Sequence, residues 1–571
     1  MNENKKKQDN KISFLFICIF FIFMFILLIW EMKKNYVIAY GDTTFHINRI
    51  YQIRLAFLKH QIPNWLNFST FYHAGYAING MYPDITLWPY VFITNFLSPI
   101  KQVICIRFLI DITTFLITTL SMYYNKYNKV ISVMVGIIYS LSGYLLYTFV
   151  NELELGTSIV AAFAFPIFFM AYKLININSV EIKSSLKMGI LFAIVLCSHL
   201  LSCLAIAIII IPIILLKLIK HNYYPIINFL FAGFTAFLLG LPIFYRYLII
   251  SKTNILPPYN QGNLNAEPFI NLFTGTSWAT KVALSLPSIF FLVSLFIFFN
   301  KQKEKKLITL IILELYIALL CSKLIPLELM DKIPLINNFQ YMPWRFAFLL
   351  GIIPFILFIE NFKLKTVKKI LTSMSALSFI FTLSTIGNIQ HNNNMLETVT
   401  NKTQNIIPNS LCYKLTSSGI GSNTILRQLI PDYAPSSVGS QTIKDNVGCE
   451  LSPFGNYLIA NQLVLNNNHF KPVQIIPITN QGVIIKTVKL YKGLITLPIF
   501  DYTSLHYHVY INHKNIKYYS YNGFITIHIN KNQKNIKIKI VHSNPKFYKY
   551  ILIFSFIFLI LILISINLIK I

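Results

Sequence analysis

Acidic residues are scarce in this chain of 571 residues, and so is arginine. Only 20 aspartates and glutamates oppose 49 lysines and arginines, six of them arginine, so the formal net charge is +29. A charge of this size is often a sign of nucleic-acid binding. Here the lysines gather in short loops between apolar runs, where they report the orientation of membrane segments. The pattern therefore argues against nucleic acid as a partner.

The seven cysteines lack the spacing of a metal site. Cys412 and Cys449 fall in a polar region, where a disulfide and an accidental pair are equally open interpretations. No small-residue cleavage site follows the first apolar stretch, Ser13 to Trp30, and Lys5, Lys6 and Lys7 precede it. We interpret this stretch as an uncleaved anchor that starts in the cytoplasm. Internal repeats are also lacking, which disfavours a transporter built from two symmetric halves.

Hydrophobic residues make up 55% of the chain, which predicts a polytopic membrane protein. The run at 186–219 is too long for one crossing and carries Ser198, His199 and Ser202 at its centre, so it predicts two helices that meet at a polar elbow. The other apolar runs lie near 104–121, 130–149, 157–174, 226–244, 286–300, 307–322, 345–362, 369–388 and 548–569. Most are near the length of about 20 residues that spans hydrocarbon.

Lysine positions decide the topology. The segment from Tyr82 to Leu97 is interrupted by prolines, and we predict that it lies in the interface without crossing. The following loop lysines then fall on the cytoplasmic side: Lys126, Lys129, Lys173, Lys183, Lys217, Lys220, those of 301–306 and those of 363–369. The prediction is about twelve spans with both termini cytoplasmic. It divides the chain into a membrane domain at 1–389, with a first outer loop at 31–103, an extracellular domain at 390–547 and a closing transmembrane helix at 548–571.

The region from 390 to 547 is polar and rich in asparagine. Alternating patterns at 524–529 and 536–540 indicate β-strands. Tyr510 to Lys514 and Tyr521 to Phe524 are typical of hairpin turns. We predict an extracellular β-sandwich held to the membrane at both ends.

The first outer loop begins with an acid, an imidazole and a guanidinium. A helix that starts near Thr43 would place Asp42 at its N-cap, with His46 and Arg49 about one and two turns on and roughly on one face. This arrangement suits proton abstraction beside an anionic leaving group. The alternative is that Asp42 only caps the helix while the arginine reaches from the interface to water.

The predicted topology gathers further polar residues on or near the outer side. They are Arg54, Glu152, Glu154, His199, Arg246, Arg345 and Arg427. Guanidinium groups retained there suggest a bound phosphate, which their forked donors match. An outer-face enzyme needs a substrate activated on a lipid, and a polyprenyl-phosphate sugar meets that need. Asp42 would act as general base on an acceptor hydroxyl, and Arg246 and Arg345 would offset charge on the departing phosphate.

Several short stretches, in their order along the chain, resemble the GT-C superfamily of membrane glycosyltransferases. The likeness is greatest to its bacterial YfhO-like branch, together with membrane proteins catalogued as related to 6-pyruvoyl-tetrahydropterin synthase. The stretches are Gly41-Asp42, Gly75-Tyr76, Met81-Tyr82-Pro83, Asn151 to Gly156, Ser198-His199-Leu200, Gln340 to Phe346 and Pro431 to Pro435. The closing part, from Leu497 to Pro545, resembles the terminal β-domain of that group.

The resemblance implies transfer of a sugar from a polyprenyl-phosphate donor to a cell-envelope glycan, teichoic acid or lipid. It places Asp42 as the first-loop catalytic acid and Glu152 or Glu154 as a second acid of the same cavity. A lipid-linked glycan transporter and a non-catalytic glycan-binding membrane protein are the alternatives. A divalent metal, Mg or Mn, stays open.

The other candidates for substrate or phosphate binding each have a structural alternative. Asp84 stands where the family often has a second proline, and we favour a helix cap over a role in catalysis or metal binding. For His199 we favour a satisfied polar residue at a helix break. Gln340 and Arg345 either bind phosphate or anchor a span, and Tyr82 belongs to the interfacial Tyr-Pro segment. Asp432 and Tyr433 are expected to dock the β-domain on the membrane core.

Overall fold

The computed structural model describes residues 3–39, 42–142, 145–146, 153–256, 305–322, 324, 346, 348–392, 398–399, 413–420, 432–439, 451–478 and 480–568. Most of these residues are helical, and a β-sheet region lies toward the C-terminus. The helices are α1 (Glu3–Lys34), α2 (Thr43–Leu58), α3 (Ile78–Met81), α4 (Trp88–Ile93), α5 (Pro99–Tyr124), α6 (Lys129–Ser140), α7 (Leu155–Ala162), α8 (Ala164–Asn176), α9 (Ile182–Ser198), α10 (Leu200–Ile219), α11 (Tyr224–Leu239), α12 (Leu241–Ile250), α13 (Lys305–Leu320), α14 (Ile352–Asn361), α15 (Leu364–Asn392), α16 (Pro453–Ala460) and α17 (Lys546–Leu568).

Five of the described helices are long and apolar enough to cross a membrane, and the number rises to seven if each of two bent pairs is one span. The five candidates are Lys6–Lys34, Pro99–Tyr124, Leu200–Ile219, Leu364–Gly387 and Lys546–Leu568. The pairs α7 with α8 and α11 with α12 bend by 52° and 64°. The finer prediction of about twelve spans is not established by these residues. Helix α4, in the segment predicted to be interfacial, is too short to cross a bilayer.

The polar elbow predicted within 186–219 is confirmed. Helices α9 and α10 are separated by His199, whose backbone is extended at φ −160° and ψ 111°. Lys173, on α8, donates to Ser184 near the start of α9 at 2.7 Å, and Lys217, near the end of α10, donates to Asn176 at 3.2 Å. The start of α9 and the end of α10 therefore lie together, and His199 lies at the turn between two helices that run in opposite directions.

The lysines of several loops gather at this same end of the helices. Lys368 forms an ion pair with Asp9 at 2.5 Å, and Lys129 donates to the neighbouring Asn10. The Tyr127 ring lies 5.9 Å from that of Phe169, one turn before Lys173. We call this the lysine-rich end. The grouping agrees with the lysine positions used to predict the topology.

Two antiparallel five-stranded sheets form the C-terminal β-region. One has the order β10-β9-β13-β7-β6 and the other the order β11-β12-β8-β4-β5. The strands are β4 (Leu463–Asn466), β5 (His469–Pro472), β6 (Gln474–Ile478), β7 (Gly482–Leu490), β8 (Gly493–Phe500), β9 (Tyr507–Ile511), β10 (Lys514–Ile516), β11 (Tyr518–Tyr521), β12 (Phe524–Ile529) and β13 (Gln533–His542). Isoleucines, valines and leucines of both sheets share one buried core.

Both predicted hairpins are present in the β-region. Asn512 and His513 join β9 to β10, and Asn522 and Gly523 join β11 to β12. All four residues have positive φ, which is the conformation of a two-residue turn between twisted strands. The alternation at 524–529 and 536–540 likewise lies within β12 and β13.

A separate small sheet departs from the predicted domain boundary at residue 390. Its strands are β1 (Tyr36–Ala39), β2 (Thr398–Val399) and β3 (Tyr413–Thr416), with β3 in the middle. Strand β1 follows the first apolar helix, so part of the region predicted to belong to the β-domain instead pairs with the start of the first outer loop. The core of this sheet is shared with α1 and α5 rather than with the two large sheets.

The β-region packs on the first outer loop through specific hydrogen bonds. Asn64 donates from its amide nitrogen to the carbonyl oxygen of His542 at 3.0 Å, and Phe500 N–H donates to the Ala74 carbonyl at 2.9 Å. The Tyr502 hydroxyl accepts from Ala77 N–H at 2.9 Å and donates to the Tyr433 carbonyl at 2.7 Å. Tyr502 thus joins three separate segments at one buried point.

Replacing Tyr502 with phenylalanine is expected to destabilise this contact by about 1–3 kcal/mol, because a buried N–H and a carbonyl lose their partner. Thermal unfolding of the purified protein and its rate of limited proteolysis measure the effect. Tyr519→Phe is the matched control, since the Tyr519 side chain is 56% exposed. Equal stability of the two variants would show that Tyr502 contributes no more than packing.

Buried His542 makes the same contact sensitive to acid. Its Nδ1 lies 2.9 Å from Asn64 Oδ1, and burial lowers its pKa from 6.5 to about 3. The unfolded chain therefore binds the extra proton first, and stability is lost as pH falls from 6.5 toward 3. At pH 5 we expect a loss of about 2 kcal/mol relative to pH 7.5. Thermal unfolding at both pH values should show a smaller loss for His542→Gln, and His513→Gln at an exposed turn should behave as wild type.

Candidate functional site

The first-loop helix α2 begins at Thr43, as predicted, and brings Asp42 to the surface beside a buried polar cluster. Asp42 occupies the N-cap position and is exposed, but its side chain makes no capping hydrogen bond. The next residue, Thr43, is buried, and its hydroxyl accepts from Leu153 N–H at 3.3 Å. Because Glu154 follows Leu153, this contact brings the start of α2 next to the start of α7.

Arg49 lies two turns into α2 and is 1% exposed. It donates to His46 Nδ1 at 3.1 Å and to the Pro83 carbonyl at 2.8 Å, and its guanidinium lies 3.9 Å from the centre of the Tyr82 ring. Burial lowers the pKa of this guanidinium, while Asp84 favours its charged form. Since arginine has only donors, His46 must accept at Nδ1, which puts the proton of a neutral ring on Nε2. The predicted shared face of His46 and Arg49 is confirmed.

Asp84 forms a buried ion pair with Arg246, which corrects the prediction that it caps a helix. Arg246 Nη1 donates to Asp84 Oδ1 at 2.8 Å and to the Asn79 carbonyl at 2.8 Å. Trp88 Nε1 donates to the other carboxylate oxygen at 3.0 Å. Both oxygens therefore have donors, and no side-chain capping bond is present at this position. The ion pair lies in the protein interior, because the side chains of Asp84 and Arg246 are 0% and 2% exposed.

Tyr82 and His199 connect the two halves of the cluster. The Tyr82 ring lies 5.6 Å from the His46 ring and 5.7 Å from the His199 ring. His199 Nδ1 lies 2.8 Å from the Ser202 hydroxyl, so the elbow histidine is buried and has a polar partner. A side chain at Gly156 would meet the Ser198 carbonyl at 2.8 Å and would lie 3.2 Å from the Tyr82 hydroxyl. Glycine at 156 therefore lets α7 approach the elbow closely.

The structure thus brings together His46, Arg49, Tyr82, His199 and the start of α7, and we call this set the outer cluster. Glu154 is 4% exposed and directly precedes α7. The Asp84–Arg246 pair adjoins the cluster, because Arg49 interacts electrostatically with both of its members. Glu152, Gln340, Arg345 and Arg427 lie outside the described residues, as do Trp344, Cys412 and Cys449.

Two of the predicted phosphate-binding arginines, Arg49 and Arg246, are buried within the protein. Arg49 and Arg246 are enclosed and donate mainly to backbone carbonyls, a histidine and Asp84. Some donors nevertheless stay unused: among the residues described, Arg49 Nε and Arg246 Nε and Nη2 have no hydrogen-bond acceptor. Unfilled buried donors are costly, so these three N–H groups favour an anion or water as a further partner.

Two tyrosines enclose the cluster. Sequence reasoning missed Tyr247, and it predicted Tyr433 only as a residue that docks the β-domain. Tyr247, on α12, donates from its hydroxyl to the Met81 carbonyl. Tyr433 interacts electrostatically with Tyr82 and Arg49, and burial raises the pKa of its phenol well above the ordinary value. Its backbone carbonyl holds Tyr502, while Ala434 and Ser436 bond to Leu256 and Asn254. A tyrosine inside an apolar run, such as Tyr247, gives no sequence signal for such a position.

A divalent ion finds no ligand set among the described side chains. No group of three or more histidine, cysteine, aspartate or glutamate residues in this part of the chain is placed to hold one. Asp84, one of the predicted ligands, has both oxygens engaged by Arg246 and Trp88. We therefore derive no step through a metal.

Comparison with known proteins assigns no role to any residue of this site. No protein-family model matches the chain, and a search of curated proteins finds no match.

Proposed function

We propose that the protein is a membrane glycosyltransferase that moves a sugar from a polyprenyl-phosphate donor to an acceptor of the cell envelope on the outer face. The observation that carries the proposal is the exposed carboxylate of Asp42 at the edge of the outer cluster. An accessible acid beside buried donors is the arrangement that a base and a departing phosphate require.

The donor side of the reaction rests on the arginines. The Nε group of Arg49 and the Nε and Nη2 groups of Arg246 are the donors proposed to meet phosphate oxygens. The lipid tail would lie along apolar helix surfaces such as those of α1 and α17, many of whose large side chains are exposed.

The acceptor side rests on Asp42. Its carboxylate takes the proton of an acceptor hydroxyl while that oxygen bonds to the anomeric carbon of the sugar. The bond from this carbon to the phosphate oxygen breaks, and polyprenyl phosphate leaves with the electron pair. Attack opposite to the leaving group inverts the sugar. Glu154 is proposed as the second acid that orients the acceptor.

The experiment is a transfer assay with purified protein, a polyprenyl-phosphate sugar and an acceptor extract from the cell envelope. Release of free polyprenyl phosphate, dependent on acceptor, would support the proposal. A transporter would move the donor across vesicles and leave its phosphate bond intact, and a non-catalytic glycan-binding protein would do neither. Either result would overturn the assignment as an enzyme.

A further inference from the structure

The β-region carries nearly all of its charge as lysine. Between residues 451 and 545 the sequence has ten lysines, one aspartate and neither glutamate nor arginine. The aspartate, Asp501, is 3% exposed and so cannot balance lysines at the surface. The lysines are Lys471, Lys486, Lys489, Lys492, Lys514, Lys517, Lys531, Lys534, Lys537 and Lys539.

Five of these lysines lie close together on β7 and β13. Lys486 is directly opposite Lys537, and Lys489 is directly opposite Lys534. Lys539 follows on β13, opposite Tyr510 of β9. All five side chains are exposed, while the alternate residues Ile485, Ile538 and Ile540 point into the core. Side chains of a strand alternate between the two sides of a sheet, so Lys486, Lys537 and Lys539 share the side turned away from these isoleucines, and we call these three the lysine face. Lys489 and Lys534 are exposed nearer the other end of the two strands.

Such pairing is unfavourable unless another charge compensates it. Opposed residues on neighbouring strands have their Cβ atoms about 4.5–5.5 Å apart, and like charges at that distance repel. None of the ion pairs among the described residues includes a lysine of this face. Two aromatic rings accompany the charges: Tyr510 lies 5.9 Å from the Lys539 ammonium, and Tyr491 lies 4.8 Å from that of Lys489.

We propose that the lysine face binds an anionic polysaccharide. Three closely spaced charges on one side of a sheet match a polymer that carries repeated anionic groups, and the Tyr510 ring offers an apolar surface for sugars. This binding surface is separate from the outer cluster and does not depend on the proposed transfer reaction. It would hold the protein against a charged envelope polymer whether or not that polymer is the acceptor.

The position of the face disfavours a bilayer surface. Strand β13 ends at His542, beside the first outer loop and shortly before the apolar helix α17. Lys539 lies three residues and Lys537 five residues from that end, or about 10 and 17 Å at 3.4 Å per residue. A plane of lipid headgroups near α17 would leave the farther lysines without contact.

Nucleic acid and a second copy of the chain fit the lysine face less well than an anionic polysaccharide does. Nucleic-acid sites use arginine forks and closely spaced aromatic rings for stacking, and the β-region has no arginine. A second copy of the chain would bring the same positive face, and equal charges repel. Charge complementarity therefore favours a polyanion that is neither lipid nor another copy.

The test measures binding of fluorescent polygalacturonate to the full-length protein in detergent micelles, without any sugar donor. For the triple variant Lys486→Gln, Lys537→Gln and Lys539→Gln we expect binding about tenfold weaker, since each exposed ion pair contributes a few-fold. The control triple variant is Lys363→Gln, Lys365→Gln and Lys369→Gln, which removes the same charge near the lysine-rich end and should bind as wild type. Replacement of the three face lysines with arginine should retain binding.

Competing ligands give the outcomes that overturn the proposal. Equal binding of uncharged dextran, or equal weakening by the control triple variant, would show that the lysine face is not the site. Binding of phosphatidylglycerol vesicles or single-stranded DNA in place of polygalacturonate would assign the face to lipid or nucleic acid. Thermal unfolding accompanies each measurement, because loss of like-charge pairs should leave the glutamine variant at least as stable as wild type.

Discussion

Asp42→Asn is expected to lower the rate of sugar transfer by about 10²- to 10⁴-fold, which is the usual contribution of a general base. Asparagine keeps the size of the side chain and removes its ability to accept a proton. The fold should not change, because the Asp42 side chain is exposed and asparagine is equally suited to the N-cap position. Its effect on unfolding should stay within about 0.5 kcal/mol.

The same variant separates a catalytic acid from a structural cap. If Asp42 served only at the N-cap of α2, asparagine would replace it there and leave both stability and transfer nearly unchanged. Polyprenyl phosphate release and thermal unfolding, measured on the same preparation, distinguish these results. Glu181→Gln is the matched control, since Glu181 forms an ion pair with Lys173 at 3.4 Å near the lysine-rich end. Wild-type transfer by Asp42→Asn would refute the role of base.

Local sequence patterns predicted the local features of the fold. The start of α2 at Thr43, the elbow at His199 and the turns at Asn512 and Asn522 each follow from a few neighbouring residues. Turn residues and hydrophobic periodicity act over such short distances, so they can be read without knowledge of the rest of the chain.

Long-range partners could not be predicted in this way. Arg246 and Asp84 are 162 residues apart in sequence, and no pattern near Asp84 identifies its partner. A carboxylate before a short helix is typical of a cap, and the cap was the natural interpretation. The pairing of β1 with β3 is also distant in sequence, which is why the domain boundary at 390 did not anticipate it. Burial of Arg49 depends on the carbonyls of Tyr82 and Pro83, which the sequence does not place near it.

Removing one member of the Asp84–Arg246 pair is expected to destabilise the protein by about 3–5 kcal/mol, because the other charge would stay buried without a partner. Arg246→Met should therefore unfold at a much lower temperature than wild type. Lys173→Met is the control, since its ion pair with Glu181 is half-exposed and should contribute about 0–1 kcal/mol. Equal losses in the two variants would show that the buried pair is not an important structural contact.

The double variant Asp84→Leu with Arg246→Met decides whether the pair also serves the reaction. It should be more stable than either single variant, because replacing both charges with apolar groups removes the unpaired charge. If Arg246 uses its remaining N–H groups to hold the donor phosphate, this stabler protein should still fail to release polyprenyl phosphate. Full transfer by the double variant would confine Arg246 to a structural role and leave Arg49 as the described arginine that can meet the phosphate.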